Sequence, residues 1–386
     1  MNPSIKAGFS RFLADRSRLH FAAHSHHPWP DVSFTAHQQA WLDAAQLQDA
    51  KWGKVFSEIW PAAQHHVARL LRLPDPSSVC FAPNTHELVV RLASSIERRP
   101  LRVLTTDAEF WSFDRQLRRW EEAGAAVATR VAAEPFASFE ARWQLAARRG
   151  GYDLVYLSQC FYDSGFVPGG LSALLAAVSD DRAIRLVDGY HGFIAFDTDL
   201  SSLAEGVCYL AGGYKYAMSG EGCCFAYVPP GVASRPLDTG WYAGFDTLSD
   251  TPSQIAYPAD ARRLLGATFD LAPLYRFNAV MDWLAANDLS PSLIHAHVGE
   301  LQARFLGKLD ALRLPLTRGA LIPPAGCARG NFLCFRLPDA GAIRAALAAQ
   351  RVTVDHRGDR LRIGFGVYHD AEDVDELLRR LARAPG

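Results

Sequence analysis

The chain of 386 residues is long enough for a large core and for two domains. A hydrophobic fraction of 49%, a charged fraction of 21% and a net charge of −1 describe a soluble globular protein with no basic footprint for nucleic acid or an anionic membrane. No run approaches the ~18 apolar residues of a membrane helix, and the N-terminal MNPSIKAGFSRFLADRSR lacks the apolar stretch of a secretory leader.

Seven cysteines form no C-x-x-C pair and are odd in number, so a reduced, cytoplasmic protein is expected. The first segment reads as a short strand at Leu19–Ala22, a His/Pro-rich turn and a helix from Asp31 to Lys51. A second helix follows at Phe56–Leu71, closed by the turn residues PDPSS. From Val79 the chain alternates short apolar runs with helical patterns. The runs are Val79–Ala82, Leu101–Thr105, Ala126–Val131, Leu154–Leu157, Ile184–Asp188, Val207–Ala211 and Cys223–Val228. Each is about five residues long and unbroken, the pattern of strands buried on both faces. Helices are expected between them at Glu87–Arg98, Phe113–Ala123, Phe139–Arg148 and Leu171–Val178, giving a three-layer α/β domain. Between Asp188, Ala211 and Cys223 there is little room for full crossover helices, so an antiparallel pair is expected there and a (β/α)8 barrel is not. The remainder is helix-rich (Leu271–Ala286, Pro291–Leu312), then strand Phe332–Leu337, helix Ala340–Gln350, strands Val352–Asp355 and Leu361–Gly364, and a closing helix Ala371–Ala384. This predicts an N-terminal segment over 1–55, a large α/β domain over 56–245 and a smaller α+β domain over 246–386.

The chain has five lysines against 35 arginines, and one of the five, Lys215, sits in the stretch YLAGGYKYAMSGEG among glycines and aromatics. Burial depresses a lysine's pKa and yields a neutral nucleophilic amine, as Schiff-base chemistry needs; arginine does not deprotonate in proteins. From context alone Lys215 is either that amine or a surface lysine at a strand end. In RLVDGYHGF, Asp188 ends an apolar strand, where open α/β sheets place their sites, and His191 follows in the turn. Such an aspartate is either a turn or capping residue or the partner of a protonated pyridine nitrogen.

Taken in order, these residues resemble the kynureninase and class V aminotransferase branch of the fold type I enzymes dependent on pyridoxal 5'-phosphate (PLP), over nearly the whole chain. The resemblance implies a fold type I three-layer large domain with a smaller C-terminal domain, PLP as cofactor and an amino acid as substrate. It implies that Lys215 carries PLP as a Schiff base, that Asp188 pairs with the ring nitrogen, that His191 approaches the ring oxygen and that Tyr214 contacts the phosphate. FAPNTHELVVRL resembles the phosphate-cradling helix, with Thr85 and His86 at its start. AEFWSF matches the stretch whose aromatic stacks on the cofactor, Phe110 first and Trp111 second. DTGWYAG and GATFDLAPLY resemble segments that reach the neighbouring subunit's phosphate, through Trp241 and Thr268, which implies a homodimer with shared sites. In DRLRIGFGVYHDAEDVDELLRRL, Arg362 falls where the substrate-carboxylate arginine sits, and a planar fork suits a carboxylate. The N-terminal segment lies over the site in this branch, so Ser25 and His26 are candidate substrate contacts; a capped turn with partly exposed histidines is the plain alternative.

The stretch HFAAHSHHPWP gathers His24, His26 and His27, and His295 and His297 repeat the H-x-H spacing. A metal-dependent hydrolase using His24 and His26 is therefore the rival reading. No H-E-x-x-H occurs, and the strand layout resists a barrel. A sensor or binding module built on this fold would carry an appended DNA-binding domain, and neither end has the room or the basic charge for one. Sulfur transfer in this branch needs a nucleophilic cysteine shortly before the carboxylate arginine, and the corresponding VDHRGDR has none. The leading expectation is kynureninase-like hydrolysis of the Cβ–Cγ bond of a β-acyl or β-aryl amino acid, suited by aromatics at Phe110, Trp111, Phe161, Tyr162, Trp241 and Tyr242, residues that equally suit a plain core. The alternative is a class V aminotransferase that releases a keto acid.

Overall fold

The structure, a computed structural model, describes residues 3–247, 254–309, 311–312 and 314–384. The strands are β1 (Leu19–His20), β2 (Val79–Ala82), β3 (Leu101–Thr106), β4 (Ala126–Val131), β5 (Leu154–Ser158), β6 (Ile184–Asp188), β7 (Val207–Gly212), β8 (Cys224–Tyr227), β9 (Leu321–Ile322), β10 (Phe332–Arg336), β11 (Val352–Thr353), β12 (Asp355–Arg357) and β13 (Arg360–Gly364). The helices are α1 (Pro3–Ala7), α2 (Val32–Leu47), α3 (Lys51–Lys54), α4 (Trp60–Leu71), α5 (Thr85–Ser94), α6 (Trp111–Glu122), α7 (Phe139–Arg149), α8 (Leu171–Ala176), α9 (Ala272–Ala286), α10 (Pro291–Leu309), α11 (Ala340–Ala349) and α12 (Ala371–Leu381).

Seven strands form one mixed sheet in the order β2-β8-β7-β6-β5-β3-β4. Strand β8 runs antiparallel to both β2 and β7, and the other pairs are parallel. The expected antiparallel pair is thus β7–β8. Alternate residues of each strand serve opposite faces. Val103 and Tyr156 belong to one core, while Leu104, Val155 and Leu157 belong to a second core under α7 on the other side. That alternation is the physical content of three layers, and it bears out the expected α/β class. One expectation fails at β4. It is the edge strand, and only Ala126 and Val131 are buried, with Val127 59% exposed.

The smaller unit is an antiparallel sheet in the order β12-β13-β10-β9, covered by α10, α11 and α12 around Phe305, Leu333, Phe335, Leu347 and Leu377. The single strand expected at Val352–Asp355 is split. Val352 and Thr353 pair in parallel with Leu19 and His20, whereas Asp355 turns to pair with Arg362 on β13. The boundary expected at 246 does not coincide with the change of core. Helix α9 packs on α2 and α4 and buries Leu274, Phe277, Val280 and Met281 in the large core. The change falls inside α10, between Ile294 in the large core and Val298 in the small one. The N-terminal segment joins both: Phe9 and Ala23 enter the large core, Leu19 and Phe21 the small one. Among the described residues no helix is long and apolar enough to cross a membrane.

Candidate active site

A cleft of about 210 Å³ opens at the carboxyl ends of β5 and β6, where an open α/β sheet leaves a crevice. Its lining includes Thr85, His86, Phe110, Tyr162, Asp188, Tyr190, His191, Tyr214 and Lys215. The chain reaches this point through β7 and a tight turn. Gly212 lies where a Cβ would stand 2.2 Å from the Tyr190 hydroxyl, and at Gly213 it would stand 2.8 Å from the Gly220 carbonyl. Only glycine lets the backbone pass so closely, and that packing brings Lys215 to the cleft floor.

Lys215 is buried, and its Nζ lies 2.6 Å from His191 Nε2. Burial pulls its pKa down to about 7, and the Arg362 charge acts in the same direction against the attraction of Asp188. Burial also holds the His191 imidazole neutral, and its Nδ1 has no hydrogen-bond partner. Asp188 ends β6 beside Ser158 of β5. Its Oδ2 accepts from the Tyr156 hydroxyl at 2.6 Å and its Oδ1 from the Tyr190 N–H at 2.9 Å. Burial raises this carboxyl, and the two donors oppose the rise. Tyr156 is itself fixed by stacking on Phe113, with ring centroids 3.7 Å apart.

The start of α5 supplies Thr85 and His86. Asn84 caps that helix by accepting from the Glu87 N–H at 2.9 Å, which makes the helix begin two residues earlier than the expected Glu87. Phe110 precedes α6 and meets Tyr162 edge-on at 5.3 Å, and its ring centroid is 5.4 Å from Lys215 Nζ. Trp111 points away, 62% exposed, so the first of the two stacking candidates is the one in the cleft. Tyr214 lies against Tyr190 and is tethered through its carbonyl to the His27 N–H at 3.0 Å.

Other expected residues are not in the cleft lining. Trp241 and Thr268 come together, the indole N–H donating to the Thr268 hydroxyl at 2.9 Å, outside the cleft of their own chain. Trp241 and Tyr242 belong to a separate aromatic cluster with Phe245, and Tyr242 also meets Trp52 and Phe56; Phe161 is in the core under α7. Of the six aromatics expected at the site, only Phe110 and Tyr162 line it. Ser25 and His26 lie off the cleft, and His26 pairs with Glu221, a lining residue, at 2.8 Å. Arg362 is buried behind Tyr162, its fork held by Asp355 and the Tyr162 carbonyl.

The histidines of the rival metal reading do not come together. Among the described residues no three His, Cys, Asp or Glu side chains converge as ligands. His24 is enclosed and stacked on Phe332, His26 is paired with Glu221, and His27 bonds the Pro28 carbonyl. His295 and His297 are engaged with Asn331 and the His369 carbonyl.

Sequence reasoning missed Tyr156, Tyr190 and Glu109. Tyr156 carried no signal in the sequence, because its bond to Asp188 depends on the register of β5 against β6. Glu109, the residue before Phe110, is buried, accepts from Thr106 and Ser158, and is pushed up by burial to about 8.

The whole chain superimposes on enzymes of known structure. The cystine C–S lyase C-DES, solved with its product cysteine persulfide, is 17% identical over 97% of this chain and 99% of that one, with a TM-score of 0.81. The cysteine desulfurase CsdA of Escherichia coli is 18% identical over 99% and 98% of the two chains, with a TM-score of 0.80. The chain has the fold of these enzymes. With its mixed seven-stranded sheet and C-terminal unit, the expected α/β fold class holds. A lysine-to-alanine variant of C-DES, 16% identical over 98% of this chain and 99% of that one, with a TM-score of 0.81, carries glycine covalently linked to its PLP cofactor. Residues 294–381, from α10 through α12, match the family model described as the Kynureninase C-terminal domain. No curated protein matches the sequence.

Proposed function

We propose that the chain is a PLP-dependent enzyme that hydrolyses the Cβ–Cγ bond of a β-acyl amino acid, the acyl group bearing an aryl ring. One observation carries the proposal: a buried amine, Lys215, and a buried carboxylate, Asp188, line the same cleft. The residues also fit the cofactor. His191 Nδ1 is buried without a partner, and the α5 start offers backbone N–H groups with Thr85 and His86 to an anion. Tyr214 adds a hydroxyl.

When bound, PLP supplies an electron sink for the charge released at the substrate's α-carbon. Asp188, anchored by Tyr156 and Tyr190, holds the positive charge of the ring nitrogen. Lys215, with its pKa near 7, takes the α-proton as a neutral amine and returns it as an ammonium. His191 orients Lys215 Nζ from 2.6 Å. Phe110 and Tyr162 give the cleft two ring faces that suit an aryl group. Hydrolysis consumes one water: oxygen adds to the acyl carbon, the Cβ–Cγ bond breaks, and a carboxylic acid and alanine leave.

The match of 294–381 to the kynureninase model supports this reading over transamination. Sulfur transfer is disfavoured because Cys160 and Cys224, which line the cleft, are pushed by burial to about 12 and 11 and stay protonated. The same reading makes the protein a cytoplasmic homodimer in which Trp241 and Thr268 of one protomer serve the cleft of the other. Product analysis tests the reaction. Kynureninase-like hydrolysis yields equimolar alanine and acyl acid from a β-aroyl alanine; a keto acid with conversion of PLP to its amine form identifies an aminotransferase instead.

A further inference from the structure

Arg362, the arginine expected to receive the substrate carboxylate, is already holding one. Its Nη2 donates to Asp355 Oδ2 and its Nη1 to the Tyr162 carbonyl, leaving only Nε without a partner. The pairing is built into the fold, because Asp355 stands opposite Arg362 in the β12–β13 register. Both side chains are largely buried, 14% and 4% exposed. Asp355 Oδ1 accepts from Arg357 Nη1 at 3.0 Å, on the solvent side, where Arg357 is 48% exposed. On the inner side His24 is wholly buried, with Nε2 3.9 Å from Asp355 Oδ2 and neither ring nitrogen hydrogen-bonded.

A guanidinium grips a carboxylate through two parallel N–H groups. Here one of those arms is spent on a carboxylate of the chain itself. We propose that Asp355 is a specificity-determining residue, an internal carboxylate that holds Arg362 behind Tyr162 and must be displaced by the substrate's own carboxylate. The inference rests on the reading of Arg362 as the substrate-carboxylate residue. Its consequence is that carboxylate binding is an exchange of one buried ion pair for another, so affinity is set below what a free arginine would give. Arg357 and His24 stand ready beside Asp355 to hold it after the exchange. A ligand without a carboxylate has no such exchange to make.

The test is an absorbance titration of the PLP-loaded protein with L-alanine and with L-alaninamide, which differ at the carboxylate. Asp355→Asn keeps the shape of the side chain and removes the charge. It is expected to bind L-alanine about tenfold more tightly than the parent while L-alaninamide is unchanged. Weaker or unchanged L-alanine binding, or an equal change for both ligands, overturns the proposal and leaves Asp355 as a support for Arg362. Arg357→Gln, on the exposed side, removes the competing hold on Asp355 and is expected to weaken L-alanine binding by about threefold. If Asp355→Asn does not fold, this variant decides: unchanged or tighter binding overturns the proposal. Arg362→Gln separates the two levels, because unaltered L-alanine binding there removes the underlying assignment of Arg362 and not merely the role of Asp355.

Discussion

Lys215 Nζ and His191 Nε2 stand 2.6 Å apart at the floor of the cleft, both side chains buried. Neither is charged at neutral pH in full, because burial opposes the ammonium and the imidazolium alike. The contact is therefore a hydrogen bond between a neutral ring and an amine that loses its proton near neutral pH, and it aims a nucleophile.

The pH dependence of this amine follows. In the unloaded protein the folded-state pKa is about 7 against an ordinary 10.5, so the unfolded chain binds more protons between those values. Stability contributed by this group therefore rises with pH across about 7 to 10.5. Replacing Lys215 by Met is expected to flatten that rise and to raise stability at pH 7 by ~2–4 kcal/mol. Denaturant unfolding of the unloaded proteins at several pH values measures it; parallel pH profiles for parent and variant contradict it.

Asp188→Asn keeps one acceptor oxygen, for the Tyr190 N–H, presents an amide N–H donor to the Tyr156 hydroxyl, and loses the negative charge. PLP is expected to remain bound, while turnover falls by on the order of 10³-fold because the ring nitrogen no longer holds its proton. Tyr156→Phe removes one hydrogen bond, worth about 1 kcal/mol, and is expected to lower turnover by about tenfold or less. Steady-state kinetics and the absorbance of each variant check the ordering. Equal losses for the two variants would mean that Tyr156, not the charge, governs the site.

The Trp241–Thr268 pair lies outside the cleft of its own chain. A homodimer with shared sites predicts complementation. Mixed after unfolding, inactive Lys215→Ala and Trp241→Ala chains are expected to regain part of the activity, because one hybrid cleft receives both intact residues. Sedimentation velocity should show a dimer. A monomer, or no recovery, removes the shared-site assignment.

Much of this was readable along the chain, for identifiable reasons. All seven strands of the large sheet were legible, because strands buried by helices on both sides are continuous apolar runs. Strand β4 betrayed its edge position only through Thr129 and Arg130, which the run of alanines and valines masked. Lys215 and Asp188 were singled out through the family resemblance, and the fold brings both to one cleft. The Tyr156–Asp188 bond was not legible, because it joins neighbouring strands and depends on register. The grip of Asp355 on Arg362 was hidden for the same reason, since the expected strand ran through Asp355 without the break that pairs it with β13. The histidines misled in a different way. Three in four residues suggest ligands, yet packing gives His24, His26 and His27 separate neighbours.

The most direct measurement is borohydride reduction of the protein purified with PLP, followed by mass mapping of its lysine peptides. Five lysines are available: Lys6, Lys51, Lys54, Lys215 and Lys308. The expected result is a single pyridoxyl adduct on the peptide containing Lys215, absent from Lys215→Ala. An unmodified Lys215, with no adduct or with one spread over the other four lysines, would contradict the account.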